Sequence, residues 1–424
     1  MLNRQSPILK STLGLLFFAN LCAAPSNAQQ TTYTWEQIHD LFLKSNPTLR
    51  AQAQSIDSNR AAEVTASLRP NPTLQNDTTS STVGIYQEFE VGGKRSARIK
   101  SAELATQISR TAAEDARRTL TLALRQAFVS ALQGKSDLQF AQENLANYQK
   151  TVDINNEMLR QGAISRADFL KIQLEMLQFQ SDLDDATLEL KTAKAGLRGL
   201  LGPANLSGDF DVQGELKAIP FDKDLDSVKQ LALQNRPDLK SADTGRLKAQ
   251  ADLKLAQAYR WPDPTIGVSY LHTGNEIGGP DWFQPFYPKG SSSNAMGLGI
   301  ASISIPIFNR NQGEVARARS DQLRAEFLDE AARSQVLQDV ESAYVSFATS
   351  RDRVRLYEST YLAYARESLD IEDYAFHKGG ASILDFLDAE RTYRATQLVY
   401  RQELAAYLNN LAQLQTSAGL DVTP

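Results

Sequence analysis

Gly162-Ala163-Ile164-Ser165-Arg166-Ala167-Asp168-Phe169-Leu170 and Gly379-Gly380-Ala381-Ser382-Ile383-Leu384-Asp385-Phe386-Leu387 share the pattern G-x-x-S-x-x-D-F-L, with five identities 217 positions apart. Gly202 and Gly419, each closing a helical stretch, keep the same separation. Further out, Asn46-Pro47-Thr48-Leu49 returns as Arg236-Pro237-Asp238-Leu239, and Arg69-Pro70-Asn71-Pro72-Thr73 as Trp261-Pro262-Asp263-Pro264-Thr265. Motifs that recur in one order mean an internally duplicated chain. The proline pairs lie only about 190 positions apart, so the second copy holds extra residues between Pro264 and Phe308. They fall in a Gly/Pro/Ser/aromatic stretch from Gly274 to Ser293, which reads as a long loop.

Both copies have the same coarse order. A helical segment (35–69; 225–259) ends at a proline cluster, which removes an amide donor and restricts the preceding residue. Strand-like pieces, a very long helix, a Gly/Ser break and a second helix follow. The expected boundaries are 29–203 for the first repeat, 204–224 for a linker and 225–424 for the second repeat. The β-hairpins fall near 73–91 and 265–308, and the helical hairpins turn at 162–168 and 379–385.

The long helices carry heptads. Leu120, Leu124, Ala127, Ala131, Gly134, Leu138, Ala141, Leu145, Tyr148 and Val152 alternate steps of four and three. In the second copy Val336, Val340, Ala343, Phe347, Ser350, Val354, Tyr357, Tyr361, Tyr364, Ser368 and Ile371 do the same. Such a period keeps one stripe against a neighbouring helix in a left-handed coil. From Arg95 to Gln161 there is no Pro, and at 1.5 Å per residue that stretch spans roughly 100 Å, a rod rather than part of a globule.

The strand pieces alternate. Val83, Ile85, Phe89 and Val91 interleave with Gly84, Tyr86, Glu88 and Glu90; Ile266, Val268 and Tyr270 alternate likewise, as do Ile303, Ile305 and Ile307. Alternation marks sheets with one wet and one apolar face. One hairpin per copy gives four strands, whereas the smallest membrane barrels have about eight. Strands that enter a membrane from this chain must therefore pair their edges with other copies. Between Pro72 and Val91 there is little room for two spanning strands of roughly nine to eleven residues, so the first hairpin is expected to be short, with Leu74 to Asn76 a poor strand.

Composition narrows the function. Of 424 residues 42% are hydrophobic and 22% charged, and the net charge of −5 argues against a nucleic-acid partner. One Cys and three His, far apart, leave no zinc site, disulfide or catalytic triad. No hydrolase, metalloprotease or Walker motif appears, and Gly92-Gly93-Lys94-Arg95 lacks the phosphate-loop spacing. An enzyme is not expected, and no cofactor. Arg4 and Lys10, the apolar run Leu13 to Ala24 and the small residues of Ser26-Asn27-Ala28 read as a signal peptide over residues 1–28. Cys22 as a lipidated residue is the weaker reading, because Leu21 replaces the small residue expected before it.

The duplicated order and the tip motif resemble the TolC-like outer-membrane efflux family, over essentially the whole chain after the signal. The resemblance implies a mainly α chain with a small β part. In that family three chains form a long antiparallel α-helical barrel plus a 12-stranded transmembrane β-barrel, four strands from each. Gln87-Glu88-Phe89-Glu90-Val91-Gly92-Gly93-Lys94-Arg95 and Ile305-Pro306-Ile307-Phe308-Asn309-Arg310-Asn311-Gln312-Gly313 resemble its heavy-metal (cobalt–zinc–cadmium, CzcC-like) branch. The implied protein is a homotrimeric exit duct in outer-membrane lipid, joined through a periplasmic adaptor protein to an inner-membrane RND transporter, passing divalent heavy-metal cations. A drug-efflux or type I secretion duct is the alternative within the class; a periplasmic coiled-coil adaptor or structural rod is the alternative outside it.

The resemblance also implies sites. Gly162, Ser165, Asp168, Gly379 and Ser382 fall where the family turns its helical hairpins and meets the adaptor. The same residue types would also simply build a turn: Gly for the tight bend, Ser for the cap, Asp for the helix dipole. Asp385 and Asp388 match acidic positions at the closed periplasmic end, where carboxylates from three chains would repel one another and attract cations. Ala381 stands where some relatives carry a basic residue, and Lys171 is the first-copy counterpart of Asp388. Glu88 and Glu90, on one strand face, would line the lumen.

Overall fold

A computed structural model describes residues 31–78, 81–202, 206, 209–272 and 294–422. The expected signal (1–28) and the loop from Gly274 to Ser293 lie outside the described residues.

Each repeat opens with a three-residue strand, β1 (Thr31–Tyr33) and β4 (Phe210–Val212), and the two pair in parallel. β4 lies inside the segment expected to be a linker. Its Phe210 and Val212 are buried in the first repeat's core, so the connection is part of the packing. The expected single helical segments are each two helices: α1 (Trp35–Ser45) with α2 (Pro47–Ser67), and α5 (Leu225–Asn235) with α6 (Pro237–Ala258). Pro47 and Pro237 each start the second helix, where a missing N–H leaves no bond unmade. Asn46 caps α2 by accepting from Leu49 N at 3.0 Å. Its counterpart Arg236 makes no side-chain cap and instead pairs with Asp339 at 2.9 Å.

The strands β2 (Thr73–Asp77), β3 (Thr82–Glu88), β5 (Pro264–His272) and β6 (Asn294–Ile303) form one antiparallel sheet in chain order. Leu74 to Asn76 is strand after all: register sets Leu74 opposite Ile85, extending one apolar face. The first hairpin is short, with strands of five and seven residues against nine and ten in the second.

α3 (Lys94–Arg160) is a single helix of 67 residues, roughly 100 Å long, followed by α4 (Arg166–Leu201). Its counterpart is broken into α7 (Gln312–Leu356), a π turn (Tyr357–Tyr361) and α8 (Leu362–His377), followed by α9 (Ile383–Ser417). The π turn corrects the second heptad stripe. Val336, Val340, Ala343, Phe347, Ser350 and Val354 are buried, but Tyr364 is 66% exposed while Ala365 is 7% exposed. Above the turn the inward-facing residues sit 216 positions after those of α3 (Val340 after Leu124, Phe347 after Ala131). Below it they sit 217 after (Ala365 after Tyr148, Leu369 after Val152). One extra residue, taken up by the wider π turn, carries the stripe from Tyr361, Tyr364, Ser368 and Ile371 to Ala365, Leu369 and Phe376.

Three cores result. Trp35, Ile38 and Phe42 of α1 pack on Leu124, Phe128, Leu197 and Leu201 of the first hairpin. Val228 and Ala232 of α5 pack on Val340, Phe347, Leu408 and Leu411 of the second. The third core, at the far tips, draws on both hairpins.

Candidate functional site

The two tips are built alike. Gly162 (φ +77°) and Gly379 (φ +73°) take the left-handed conformation that ends a helix. At the first, Ala163 N donates to Met158 O at 2.8 Å and Gly162 N to Leu159 O at 3.0 Å; at the second, Gly380 N donates to Ala375 O and Gly379 N to Phe376 O at those same distances. Both are Schellman closures, which satisfy the last carbonyls. Ser165 then caps α4 and Ser382 caps α9, each hydroxyl accepting from the Asp N–H three residues on and donating to that Asp carboxylate at 2.7 Å. Those hydrogen bonds hold the Asp168 and Asp385 carboxyls below the usual carboxylate range.

Past the caps, the tips differ. Asp168 is shared with Lys171 at 2.9 Å. Asp385 also accepts from Ser382 N at 3.1 Å, completing a reciprocal capping box. Asp388 is exposed and makes no ion pair among the described residues; Arg391, one turn on, acts on it only through space. Phe386 and Leu387 are buried, with Phe386 stacked on Phe376 at 5.3 Å. Their counterparts Phe169 and Leu170 are half-buried and exposed.

More than two helical turns past the caps, Glu175 of α4 is buried between Arg391 and Arg394 of α9; Arg394 reaches it at 3.1 Å and Asp182 at 3.2 Å. Burial pushes the neighbouring Glu390 carboxyl up to about 7. Sequence reading missed this cluster, although α4 carried a signal: Glu175 and Asp182 occupy heptad positions between Ile172, Phe179 and Ala186, all three buried. No comparable signal marks Arg394, because long charged side chains are ordinary on exposed helix faces.

At the opposite end, register aligns Leu74, Val83, Ile85, Ile266, Val268, Tyr270, Met296, Leu298 and Ile300 on one sheet face. All are exposed, Leu298 by 64% and Ile300 by 66%. Register also sets Asn76 and Gln87 on this face, but an exposed apolar patch of that size marks a membrane or protein contact surface. The other face carries Thr73, Gln75, Tyr86, Glu88, Thr265 and Ser269, with Tyr86 lying over Gly84 and Gly267 so closely that its ring would have to shift to admit a Cβ at either. β2 and β6 are open edges. Glu88 ends β3 on the polar face. Glu90 departs from the sequence expectation: it lies past the strand, and Arg98 holds it through two bonds while also binding Ala66 O and Leu68 O.

A sheet with one lipid-facing side, continuous with a helical rod about 100 Å long, is the protomer architecture of an outer-membrane channel whose helical part lies in the periplasm. The chain belongs to the outer membrane efflux protein family, whose profile matches residues 39–203 and 228–420. The family consists of channel proteins, not enzymes. Among relatives, the chain is 26% identical over 377 residues to the cobalt-zinc-cadmium resistance protein CzcC of Cupriavidus metallidurans, covering 87% of this chain and 85% of that one. It is 24% identical over 358 residues to the pyoverdine export outer membrane protein OpmQ of Pseudomonas putida, covering 82% and 70%. The fold is similar to the solved structure of CusC, with TM-score 0.74, 19% identity and coverage of 91% and 92%. Among the described residues, no helix is long and apolar enough to cross a membrane, and no three acidic, His or Cys side chains are grouped to hold a metal ion.

Proposed function

We propose that this chain is the exit duct of a tripartite RND-type efflux pump, working as a homotrimer that passively conducts divalent heavy-metal cations out of the cell. The observation that carries the duct is the four-stranded sheet: its apolar face needs lipid, and its two open edges need strands from other copies. Three copies give twelve strands, enough to close a barrel. The polar face, with Glu88, then lines the lumen. Metal cargo is supported by the likeness to a cobalt-zinc-cadmium resistance protein along most of both chains. The match to a pyoverdine export protein supports the second reading, a duct for organic cargo.

The hairpin tips are the periplasmic end. There Gly162, Ser165, Asp168, Gly379 and Ser382 form the rim that a periplasmic adaptor would grip, linking the duct to its inner-membrane transporter. Asp385 and Asp388 are the acidic ring at the constriction. Asp388 supplies the free carboxylate, since Asp385 is occupied in capping α9. A strain lacking the protein, grown across graded cobalt, zinc, cadmium, copper and silver beside dyes and antibiotics, tests the cargo. Selective metal sensitivity is expected; sensitivity to organic compounds alone would move the protein to the second reading.

A further inference from the structure

Above the tip core, α3, α4 and α9 enclose a half-open cavity of about 190 Å³. α4 contributes Asp182, Asp185 and Glu189, spaced to lie on one helix face, while α3 contributes Asp137 and α9 Arg394. Asp137 is 6% exposed, and its buried Oδ1 accepts no hydrogen bond among the described residues. The nearest cation, Arg401 Nε, stands 3.9 Å away, outside hydrogen-bond reach. It is bonded to Ser136 Oγ, and the same guanidinium is held by Gln397 O. Arg394 is engaged by Glu175 and Asp182. Asp137 Oδ1, Asp185 and Glu189 thus face this space without a hydrogen-bonded cation among the described residues, while Asp182 already holds Arg394. An uncompensated buried carboxylate oxygen is expensive, so the cavity suits a positive guest.

The chemistry of the guest is set by spacing. No three of these carboxylates converge closely enough to ligate an ion directly, while the volume admits several waters, each occupying about 30 Å³. A small divalent ion that keeps its water shell, as Mg²⁺ tends to, meets both conditions. We propose that the cavity binds one hydrated divalent cation per chain, with Asp137, Asp182, Asp185 and Glu189 accepting hydrogen bonds from its waters. The ion ties the first repeat's hairpin to α9. It is a resident structural ion rather than cargo, so the proposal stands whichever reading of the cargo holds.

The test uses the full-length protein purified in detergent, stripped of metal and equilibrated with Mn²⁺. Cobalt(III) hexammine serves as competitor, because it is exchange-inert and can enter a site only through its outer shell. The expected result is one competed Mn²⁺ per chain, bound at least tenfold more weakly in Asp137→Asn and in the exposed double variant Asp185→Asn/Glu189→Gln, and unchanged in Asp57→Asn. Mg²⁺ should raise the melting temperature of the wild type and not of Asp137→Asn. Because the double variant alters only exposed side chains, misfolding cannot imitate its loss of binding. Retention of the competed Mn²⁺ in both variants, Mn²⁺ that cobalt hexammine does not displace, or no bound Mn²⁺ in the wild type would each overturn the site.

Discussion

The first repeat crosses the length of the rod on one unbroken helix, α3, whereas the second crosses it on α7, a π turn and α8. Their buried stripes match at 216 positions above the turn and at 217 below it. The duplicated halves therefore hold the same packing although one carries an extra residue, and the π turn is where the difference is absorbed. The tips diverge in the opposite sense. Backbone closure and Ser cap are the same, but the second tip is anchored by buried Phe386 and Leu387 and leaves Asp388 free, while the first exposes Leu170 and neutralises Asp168 with Lys171. Geometry is shared by the copies; burial and charge are not.

The largest effect should come from disturbing register. Deleting Glu143 from α3 rotates everything beyond it by about 100°, taking Tyr148 and Val152 off the seam and abolishing the folded tip. Deleting Ser359 converts the π turn to α and leaves the seam intact. Limited proteolysis of the two purified variants distinguishes them, and equal damage would refute the one-residue account of the π turn.

Next comes the link between the repeats. Glu175→Ala leaves the half-buried Arg394 with Asp182 as its remaining ion-pair partner and is expected to destabilise by about 3 kcal/mol. If denaturant melts showed less than about 1 kcal/mol, the scale of an exposed pair, the cluster would not join the hairpins. Phe386→Ala empties a stacked, buried site and should cost about 3–4 kcal/mol. Phe169→Ala, at the half-buried counterpart, should cost less than half of that, and equal losses would erase the difference between the tips. Ser382→Ala and Ser165→Ala each remove a cap worth about 1 kcal/mol, with the larger loss at Ser382, where the box is reciprocal.

The last effect shows only as a slope with pH. The Glu390 carboxyl is raised from 4.5 to about 7 by burial, so the folded state binds its proton more tightly than the unfolded state. That contribution is fully present below pH 4.5 and is lost as pH rises through about 7. Glu390→Gln should therefore raise the melting temperature at pH 8 and change it little near pH 4.5. A gain of equal size at both pH values would show that Glu390 is not protonated on folding.

Much of this was legible in the sequence because it is periodic or repeated. Gly162 and Gly379 with their Ser and Asp partners mark the tips, heptads mark α3, and alternation marks β3 and β5; of Ile303, Ile305 and Ile307 only Ile303 falls in a strand, the last residue of β6. What escaped depends on small offsets and on partners far along the chain. The stripe through Tyr361, Tyr364 and Ile371 continues a correct pattern one residue past the point where the helix widens, and the 216-to-217 shift that reveals this was present in the sequence. Glu90 alternates like a strand residue, yet Arg98, one helical turn into α3, captures it. β4 is too short to show a period, and it forms because Phe210 and Val212 find a core in the first repeat. For the candidate site, the motif located the tips, but the Glu175 cluster and the Asp137 cavity arise only where α4 and α3 meet α9.

Conductance of the purified protein in planar bilayers, with the mass of the same sample measured by light scattering, bears most directly on the reading of this chain as a membrane duct. Cation-selective pores from a particle of three chains are the expected result, with selectivity reduced in Asp388→Asn. A monomer that stays soluble without detergent and passes no current would contradict it, and would make the chain a periplasmic rod.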